Sequence, residues 1–230
     1  MTVVIPTRGD VPLGQILESL ASFGQVIVWE NGKGAREVVD GRLMPTHENE
    51  TDLAVYARYA ALDYAAHEIV MTQDDDCLVD AEKLLRIASQ YDLTQTIVAN
   101  MPESRWADYP DSALIGWGGV FHRDLPARAF AEIGFDGRTA PFIEDDDWSD
   151  YCVLRSDGGR RFPIVFEDAG FIRRRADNVF TVLTPVVKVD IGFQHLPWAE
   201  GPGRMFTTPG HGEERDRMIE LARKVRDARC

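Results

Sequence analysis

The sequence predicts an α/β fold: a mixed, mainly parallel sheet flanked by helices. Strand-like and helix-like patterns alternate through the first hundred or so residues, and strands separated by helices form βαβ units with parallel strands. Three predicted strands end in polar residues, at Pro6-Thr7-Arg8, Glu30-Asn31-Gly32 and Asp74-Asp75-Asp76. Because open α/β sheets bind ligands at the carboxyl ends of their strands, we expect the functional site at this edge.

Each predicted element of the first half follows from its own residue pattern. Residues 2–5 and 25–29 are apolar or β-branched runs, and residues 68–72 and 96–99 are similar short strands. Apolar residues repeat with helical spacing in the segments between these strands. The predicted helices cover residues 13–23, 51–64 and 81–89.

The second half, from residue 114 onward, is less regular. Residues 114–121 form a strand pattern interrupted by glycines, which permit close approach of a ligand or mark a bulge. A second acidic cluster, residues 142–148, begins a helical stretch that runs to about residue 154, since acids favour a helix N-terminus. The remaining predictions are a helix at 127–133, strands at 162–166 and 186–191, a glycine-rich loop at 201–212 and a terminal helix at 213–229.

Length and composition predict one large globular domain. The chain has 230 residues, 44% hydrophobic and 27% charged, and lacks the roughly 18-residue apolar run of a membrane span. Its first residues lack the pattern of a signal peptide. Three scattered cysteines, Cys77, Cys152 and Cys230, fit a reducing cytoplasm, which is the expected location. We interpret Cys77 as a packing residue, because its soft sulfur suits neither Mg²⁺ nor Mn²⁺.

The net charge of −13 is unevenly distributed along the chain. Residues 1–154 contain 11 Lys and Arg against 27 Asp and Glu, whereas residues 155–230 contain 14 against 11. The acidic first part argues against a protein that coats nucleic acid nonspecifically. The charge distribution is compatible with a local basic surface in the last third, where five arginines cluster: Arg160, Arg161, Arg173, Arg174 and Arg175.

The acidic triplet Asp74-Asp75-Asp76 is the strongest chemical signal in the chain. Because side chains of an extended backbone alternate with period two, Asp74 and Asp76 are expected on one side. Two such carboxylates suit Mg²⁺ or Mn²⁺, and such a cation usually shares its shell with the phosphate oxygens of a nucleotide. The alternative interpretation is a solvated acidic turn, or the N-cap of the next helix.

Five short motifs resemble the GT-A class of nucleotide-sugar glycosyltransferases, and the exostosin-like enzymes most of all. Residues 3–8 look like the opening strand of that class, and residues 26–32 resemble the strand ending in Trp-Asn-Asn beside the nucleotide base. Gln73 and the acidic triplet match the metal motif, and residues 118–123 are similar to the Gly-rich strand bordering the acceptor region. Glu144-Asp145 resembles the Glu-Asp pair near the reaction centre.

This resemblance runs in order over residues 3 to 155, with Glu30 in place of the first Asn. It implies a single GT-A domain over residues 1–230, with a nucleotide-sugar-binding half at 1–113. The acceptor-binding half, at 114–230, would include the C-terminal loop and helix. The implied activity is transfer of a sugar from a nucleoside-diphosphate sugar, expected to be a UDP-sugar, with Mn²⁺ or Mg²⁺. The acceptor hydroxyl would belong to a glycan or small molecule, with a hydroxylated base in DNA as an alternative.

The resemblance also implies roles for individual residues. Asp76 and Asp74 would bind the metal, with a further ligand from His195 or His211. If the reaction inverts the anomeric centre, Asp145 would act as the base for the acceptor hydroxyl, with Glu144 or Asp146 behind it. If the configuration is retained, the same carboxylate would stabilise the positive charge that develops on the sugar. The structural alternative is that these acids cap a helix. The expected contacts to the donor are Pro6, Thr7, Arg8, Glu30, Asn31, Arg58, Asp74 and Asp75, of which the two arginines would meet the diphosphate.

Each of these assignments has a structural alternative. Arg8 could form a surface salt bridge, Asn31 could be a turn residue, and Arg58 could lie on a solvated helix face. Three tryptophans could stack on sugar faces or belong to the core: Trp117, Trp148 and Trp198.

Two other functions compete with sugar transfer. A nucleotidyltransferase would need a Gly-rich phosphate loop after the first strand, and residues 6–10 contain too few glycines. A non-catalytic nucleotide-binding module would leave the pair Glu144-Asp145 without a task.

Overall fold

An eight-stranded mixed sheet with helices packed on both faces forms the centre of the molecule, which confirms an α/β fold. The computed structural model describes residues 1–39, 42–133, 135, 152–153, 162–163, 169–199 and 209–227. No helix within these residues is long and apolar enough to cross a bilayer.

The strands and helices of the described residues have the following bounds. The strands are β1 (Thr2–Thr7), β2 (Gln25–Glu30), β3 (Gly34–Val39), β4 (Arg42–His47), β5 (Ile69–Thr72), β6 (Cys77–Leu78), β7 (Ile97–Asn100), β8 (Gly119–His122), β9 (Cys152–Val153), β10 (Phe162–Pro163), β11 (Val186–Val189) and β12 (Gln194–His195). The α-helices are α1 (Gly14–Ser19), α2 (Ala57–Ala60), α3 (Ala81–Ala88), α4 (Leu125–Glu132), α5 (Ala169–Arg174), α6 (Ala176–Leu183) and α7 (His211–Asp227). Short 3-10 helices cover Ala54–Tyr56, Ala61–Tyr64 and Glu103–Asp108.

The strand order of the main sheet is β11-β7-β8-β5-β1-β2-β3-β4. β1 pairs in parallel with β2 and β5, and β11 pairs in parallel with β7. The other four neighbouring pairs are antiparallel, so the expectation of a mainly parallel sheet is wrong. The reason is that β2, β3 and β4 follow one another too closely in the chain for the crossover that parallel strands need. In addition, β8 runs in the reverse direction between β5 and β7.

The central strands β5, β1 and β2 are parallel, and they bury side chains on both faces. Val3 and Ile5 pack in the cluster that includes α1 and α3, whereas Val4 packs in the cluster that includes α2, α4 and α6. Burial on both faces explains why these strands read as continuous apolar runs rather than as alternating ones. The chain visits β2 on one side of β1 and β5 on the other, so the carboxyl end of β1 is a topological switch point.

Most predicted elements of the first half are confirmed with shifted ends, but several predictions are wrong in detail. The helix predicted from Thr51 is the short α2 between two 3-10 helices, and only β8 of the strand predicted at 114–121 is a strand. Within the helix predicted to run to 154, Cys152 and Val153 form β9, and the rest lies outside the described residues. The patterns did not predict β3, β4, β6, β12, α5 or α6.

The terminal helix α7 is held to the body of the protein by a buried stripe and by ion pairs near both of its ends. Met218 and Ala222 are fully buried on its inner face. Asp111 accepts two hydrogen bonds from Arg223, at 2.7 and 2.9 Å, and one from Arg226 at 2.8 Å. These bonds, led by that from Arg223, outweigh partial burial and lower the pKa of Asp111 to about 2.

Replacing Asp111 by Asn is expected to lower the free energy of unfolding at pH 7 by about 1–2 kcal/mol, discounted for the exposure of the groups. Because the pKa of Asp111 is lower in the folded chain, its contribution is complete above about pH 4. It is lost as the pH falls towards 2. Urea denaturation between pH 7 and pH 2 measures both effects. The exposed pair Glu220–Lys224 gives the control, and Glu220→Gln should change stability by less than about 0.5 kcal/mol. An Asp111→Asn protein with the acid sensitivity of the wild type would contradict this assignment.

Candidate functional site at the carboxyl edge of the sheet

The three polar strand ends meet at one edge of the sheet, as expected. The backbone N–H of Asn31, after β2, donates to the carbonyl of Thr7 at 2.8 Å, and that of Gln73, after β5, donates to Val4 at 3.2 Å. Gly9 lies so close to Glu30 that a Cβ atom on residue 9 would be 2.8 Å from the Glu30 Cδ. The ends of β1, β2 and β5 therefore form one continuous polar surface.

Asp75, the middle residue of the triplet, joins β1 to β5. Its carboxylate is buried and accepts a hydrogen bond of 2.6 Å from the hydroxyl of Thr7. The indole N–H of Trp198 donates to the Asp75 carbonyl at 2.8 Å. The resemblance implies a contact between Asp75 and the donor, whereas the structure gives the Asp75 side chain a partner inside the protein.

Asp74, two residues after the end of β5, pairs with Arg58 of α2. The Arg58 Nη2 lies 2.7 Å from the Asp74 Oδ1, and the Arg58 Nε lies 3.3 Å from Asp177 Oδ1 on α6. The hydroxyl of Tyr59 donates to the same oxygen of Asp177 at 2.7 Å. The Arg58 side chain is 3% exposed and that of Asp74 is 36% exposed, so the guanidinium is inside the protein and the carboxylate is at its surface. Arg58 therefore meets carboxylates rather than lying on a solvated helix face.

Burial and pairing change the acid–base properties of this group. Burial alone would lower the pKa of Arg58, but the charges of Asp177 and Asp74 outweigh it and raise the pKa, so the guanidinium stays protonated. Burial raises the pKa of Asp177 to about 6, although Arg58 and Tyr59 act in the other direction. Burial, followed by the charge of Asp177, raises the pKa of Tyr59, which keeps its hydroxyl a donor.

Gly116, in the loop before β8, makes room for Asp74. The backbone N–H of Asp74 donates to the Gly116 carbonyl at 2.7 Å, and a Cβ atom on residue 116 would lie 2.6 Å from the Asp74 Cγ. The Cys77 thiol, 3.4 Å from the same carbonyl, is fully buried, and burial raises its pKa. Cys77 therefore has a packing role, as predicted.

Aromatic side chains lie on the flank of the triplet away from β2. The rings of Trp117 and Phe193 are stacked at 4.6 Å between centroids, and His195 meets the Phe193 ring edge-on at 4.8 Å. Asn100, fully buried at the end of β7, fixes both segments. Its amide donates to the Trp117 carbonyl at 2.8 Å and the Gly192 carbonyl at 3.1 Å.

The two histidines proposed as metal ligands lie in different places. β12 pairs with β6 so that His195 is opposite Cys77, and the N–H of Leu196 donates to the Asp76 carbonyl at 2.8 Å. His195 is therefore beside the triplet. His211, at the start of α7, lies 3.1 Å from Arg175 through its Nδ1. The fold brings only His195 to the backbone of Asp76.

The fit of a metal ion rests on the carboxylates of the turn. Among the residues that the structure describes, no group of three or more His, Cys, Asp or Glu side chains is arranged to hold a metal ion. A hard divalent cation that keeps phosphate oxygens and water in its shell needs only one or two protein carboxylates. Half-buried Asp74 and Asp76 supply oxygen donors of that kind on one turn.

The residues proposed around the nucleotide differ in their exposure and in their contacts within the protein. Arg8 is 43% exposed at the end of β1, 3.7 Å from Asp10. The amide of Asn31 is used within the protein, since it donates to the Ala54 carbonyl at 3.2 Å and accepts from Leu53 N–H at 3.2 Å. It thereby supports Ala54, whose φ of 49° is unusual for a residue with a Cβ atom. The turn-residue alternative therefore accounts for the Asn31 contacts.

Glu30 and Pro6 also have partners within the protein. Glu30 pairs with Lys33 and with Arg36 at 3.0 Å. Burial alone would raise the pKa of Glu30, but the hydrogen bonds and charges of Lys33 and Arg36 outweigh burial and lower the pKa. Pro6 is a half-buried residue of β1 opposite Trp29.

The proposed acid–base residues Glu144, Asp145 and Asp146 lie outside the described residues. Three residues of the site were missed by the sequence patterns: Asp177, Asn100 and Phe193. Asp177 occupies the first turn of a helix, which acids commonly do, so its pattern carries no sign of a partner on α2. For the loop that contains Trp117, the sequence did carry a signal, because the glycines around Trp117 indicated a backbone that a ligand can approach closely.

No model of a known protein family matches this chain, and no curated protein is significantly similar to it.

Gly116→Ala is expected to force the Asp74 carboxylate away from the loop and to weaken its ion pair with Arg58. Overpacking of this kind typically lowers the free energy of unfolding by about 1–3 kcal/mol. Thermal or urea denaturation measures the loss. Gly14→Ala is the matched control, because residue 14 faces open space at the start of α1 and alanine favours a helix. Equal stability of the two variants would contradict the packing of Asp74 against residue 116.

Proposed function

We propose that this protein is a metal-dependent glycosyltransferase of the GT-A type, which moves a sugar from a nucleoside-diphosphate sugar to a hydroxyl acceptor. The observation that carries the proposal is the position of the acidic turn. Asp74 and Asp76 follow β5 at the switch point of the sheet, where Asp74 is anchored by a buried arginine and left partly exposed. Such an edge is where α/β folds bind nucleotides.

The donor would lie across the ends of β2, β1 and β5. Asp74 and Asp76 would hold Mn²⁺ or Mg²⁺, which neutralises the leaving diphosphate when bound. Arg8, exposed at the end of β1, has the fixed charge and the fork of donors that suit a phosphate. The Thr7–Asp75 hydrogen bond keeps the two strand ends in register beneath the donor. We expect a UDP-sugar as donor.

The acceptor would lie on the other flank, over the loops before β8 and after β11. Three rings lie there, those of Trp117, Phe193 and His195. Trp117 is the residue after Gly116, which lies beside Asp74. The negative face of an aromatic ring attracts the C–H face of a sugar and stacks equally on a nucleobase. This flank therefore suits a ring-bearing acceptor, such as a glycan, a small molecule or a hydroxylated base in DNA. Asp145, with Glu144 or Asp146, remains the proposed base.

One incubation separates this proposal from its alternatives. The protein is mixed with Mn²⁺ and a set of UDP-sugars, and the products are analysed by mass spectrometry. Slow release of UDP supports sugar transfer, because water replaces the acceptor. With pyrophosphate added to the same mixture, formation of UTP and a sugar 1-phosphate would indicate a nucleotidyltransferase, and UDP-sugar binding without turnover would indicate a binding module.

Asp76→Asn is expected to abolish UDP release, with a fall of at least about 100-fold, because the charge that holds the cation is lost while side-chain shape is kept. The wild type should lose the same activity in a chelator and recover it with Mn²⁺. Asp124→Asn, at an exposed site beyond the far end of β8, is the control. Full activity of the wild type in the presence of the chelator would refute the metal assignment.

Trp117→Leu is expected to raise the KM for the acceptor about tenfold, because loss of a stacking contact costs roughly 1.4 kcal/mol. The acceptor is first identified by mass-spectrometric screening of glycans, small hydroxylated compounds and hydroxymethylated DNA. Tyr91→Leu removes an exposed aromatic ring after α3 and should leave the KM unchanged. An unchanged acceptor KM in Trp117→Leu would place the acceptor elsewhere.

A further inference from the structure

We propose that Asp177 is a positioning residue for the acidic turn and acts on Asp74 through the buried guanidinium of Arg58. The inference rests on the proposed function, because that function assigns Asp74 to the cation. Asp177 lies on α6, beyond residue 155, where the resemblance ends. It would give the C-terminal half a direct part in binding the donor.

The contacts form a chain from α6 to the edge of the sheet. Tyr59 donates to Asp177 Oδ1 at 2.7 Å, and that oxygen lies 3.3 Å from the Arg58 Nε. The Arg58 Nη2 then reaches Asp74 Oδ1 at 2.7 Å. Among the described residues the Arg58 Nε makes no hydrogen bond, so Asp177 acts on the guanidinium through its charge, while the Arg58 Nη1 donates to the Thr72 hydroxyl at 3.5 Å. Because the guanidinium is planar, attraction of its Nε side towards Asp177 leaves Nη2 on the side of Asp74.

Asp177 also affects the charge that Asp74 offers to a cation. The group contains one guanidinium and two carboxylates, which leaves one negative charge in excess. Without Asp177, the charge of Arg58, which is 3% exposed, would be balanced by Asp74 alone. Because charges attract strongly where water is excluded, Asp74 would then be committed to Arg58 and would bind a divalent cation less well.

A purely structural role for Asp177 makes a different prediction. If Asp177 only fastens α6 to α2, its loss lowers stability and leaves the affinity of the folded protein for Mn²⁺ unchanged. A positioning role requires the affinity for Mn²⁺ to fall in protein that is fully folded. The two roles are therefore separated by a binding measurement on folded protein.

The experiment measures Mn²⁺ binding by isothermal titration calorimetry, with and without UDP, on the full chain below its melting temperature. Asp177→Asn keeps the shape and removes the charge, and we expect the dissociation constant for Mn²⁺ to rise roughly tenfold or more. Asp177→Glu restores the charge and should recover part of the affinity. Tyr59→Phe removes only the donor to Asp177 and should give a smaller rise in the same direction.

Asp111→Asn is the matched control, because it also removes a carboxylate that pairs with arginines. These arginines lie near the end of α7. The Mn²⁺ affinity of Asp111→Asn should stay within about twofold of the wild type. The inference is overturned if folded Asp177→Asn binds Mn²⁺ as the wild type does, or if Asp111→Asn weakens binding equally. If Asp177→Asn does not fold, an unchanged affinity in Tyr59→Phe overturns it. A wild type that binds neither Mn²⁺ nor UDP would contradict the proposed function itself.

Discussion

The burial of one positive charge, that of Arg58, constrains the whole carboxyl edge of the sheet. A guanidinium removed from water costs several kcal/mol unless carboxylates compensate it. The two that do so come from distant parts of the chain, Asp74 after β5 and Asp177 on α6. The packing of α6 against α2 is therefore coupled to the position of the Asp74 carboxylate through Arg58.

The three aspartates of the triplet have different environments because the chain turns as it leaves β5. Asp75 is buried and joins the strand to Thr7, Asp74 is half-exposed and joined to Arg58, and Asp76 lies beside the segment that carries His195. A run of identical residues thus provides both the internal ties of the turn and its exposed oxygen atoms.

The two flanks of this turn have different chemistry. Towards β2 lie charged and amide groups, including Arg8, whereas towards β7 lie the stacked rings of Trp117 and Phe193. Buried Asn100 holds the ring-bearing loops in place through three hydrogen bonds. A charged flank and an aromatic flank on either side of two carboxylates suit a reaction between an anionic donor and a ring-bearing acceptor. The proposed division into donor and acceptor sides follows from this asymmetry.

The sequence alone determined the strands β1, β2, β5 and β7, and the meeting of the polar ends of the first three, because short apolar runs and turn residues act locally. It also marked Gly116 and Trp117 through the glycines around them. Tertiary structure alone decided the hairpin β3–β4, the reversed β8, and the partners of Arg58 and Asn31. These features depend on contacts between residues far apart in the chain, and a buried ion pair such as Arg58–Asp177 leaves no periodic trace in either segment.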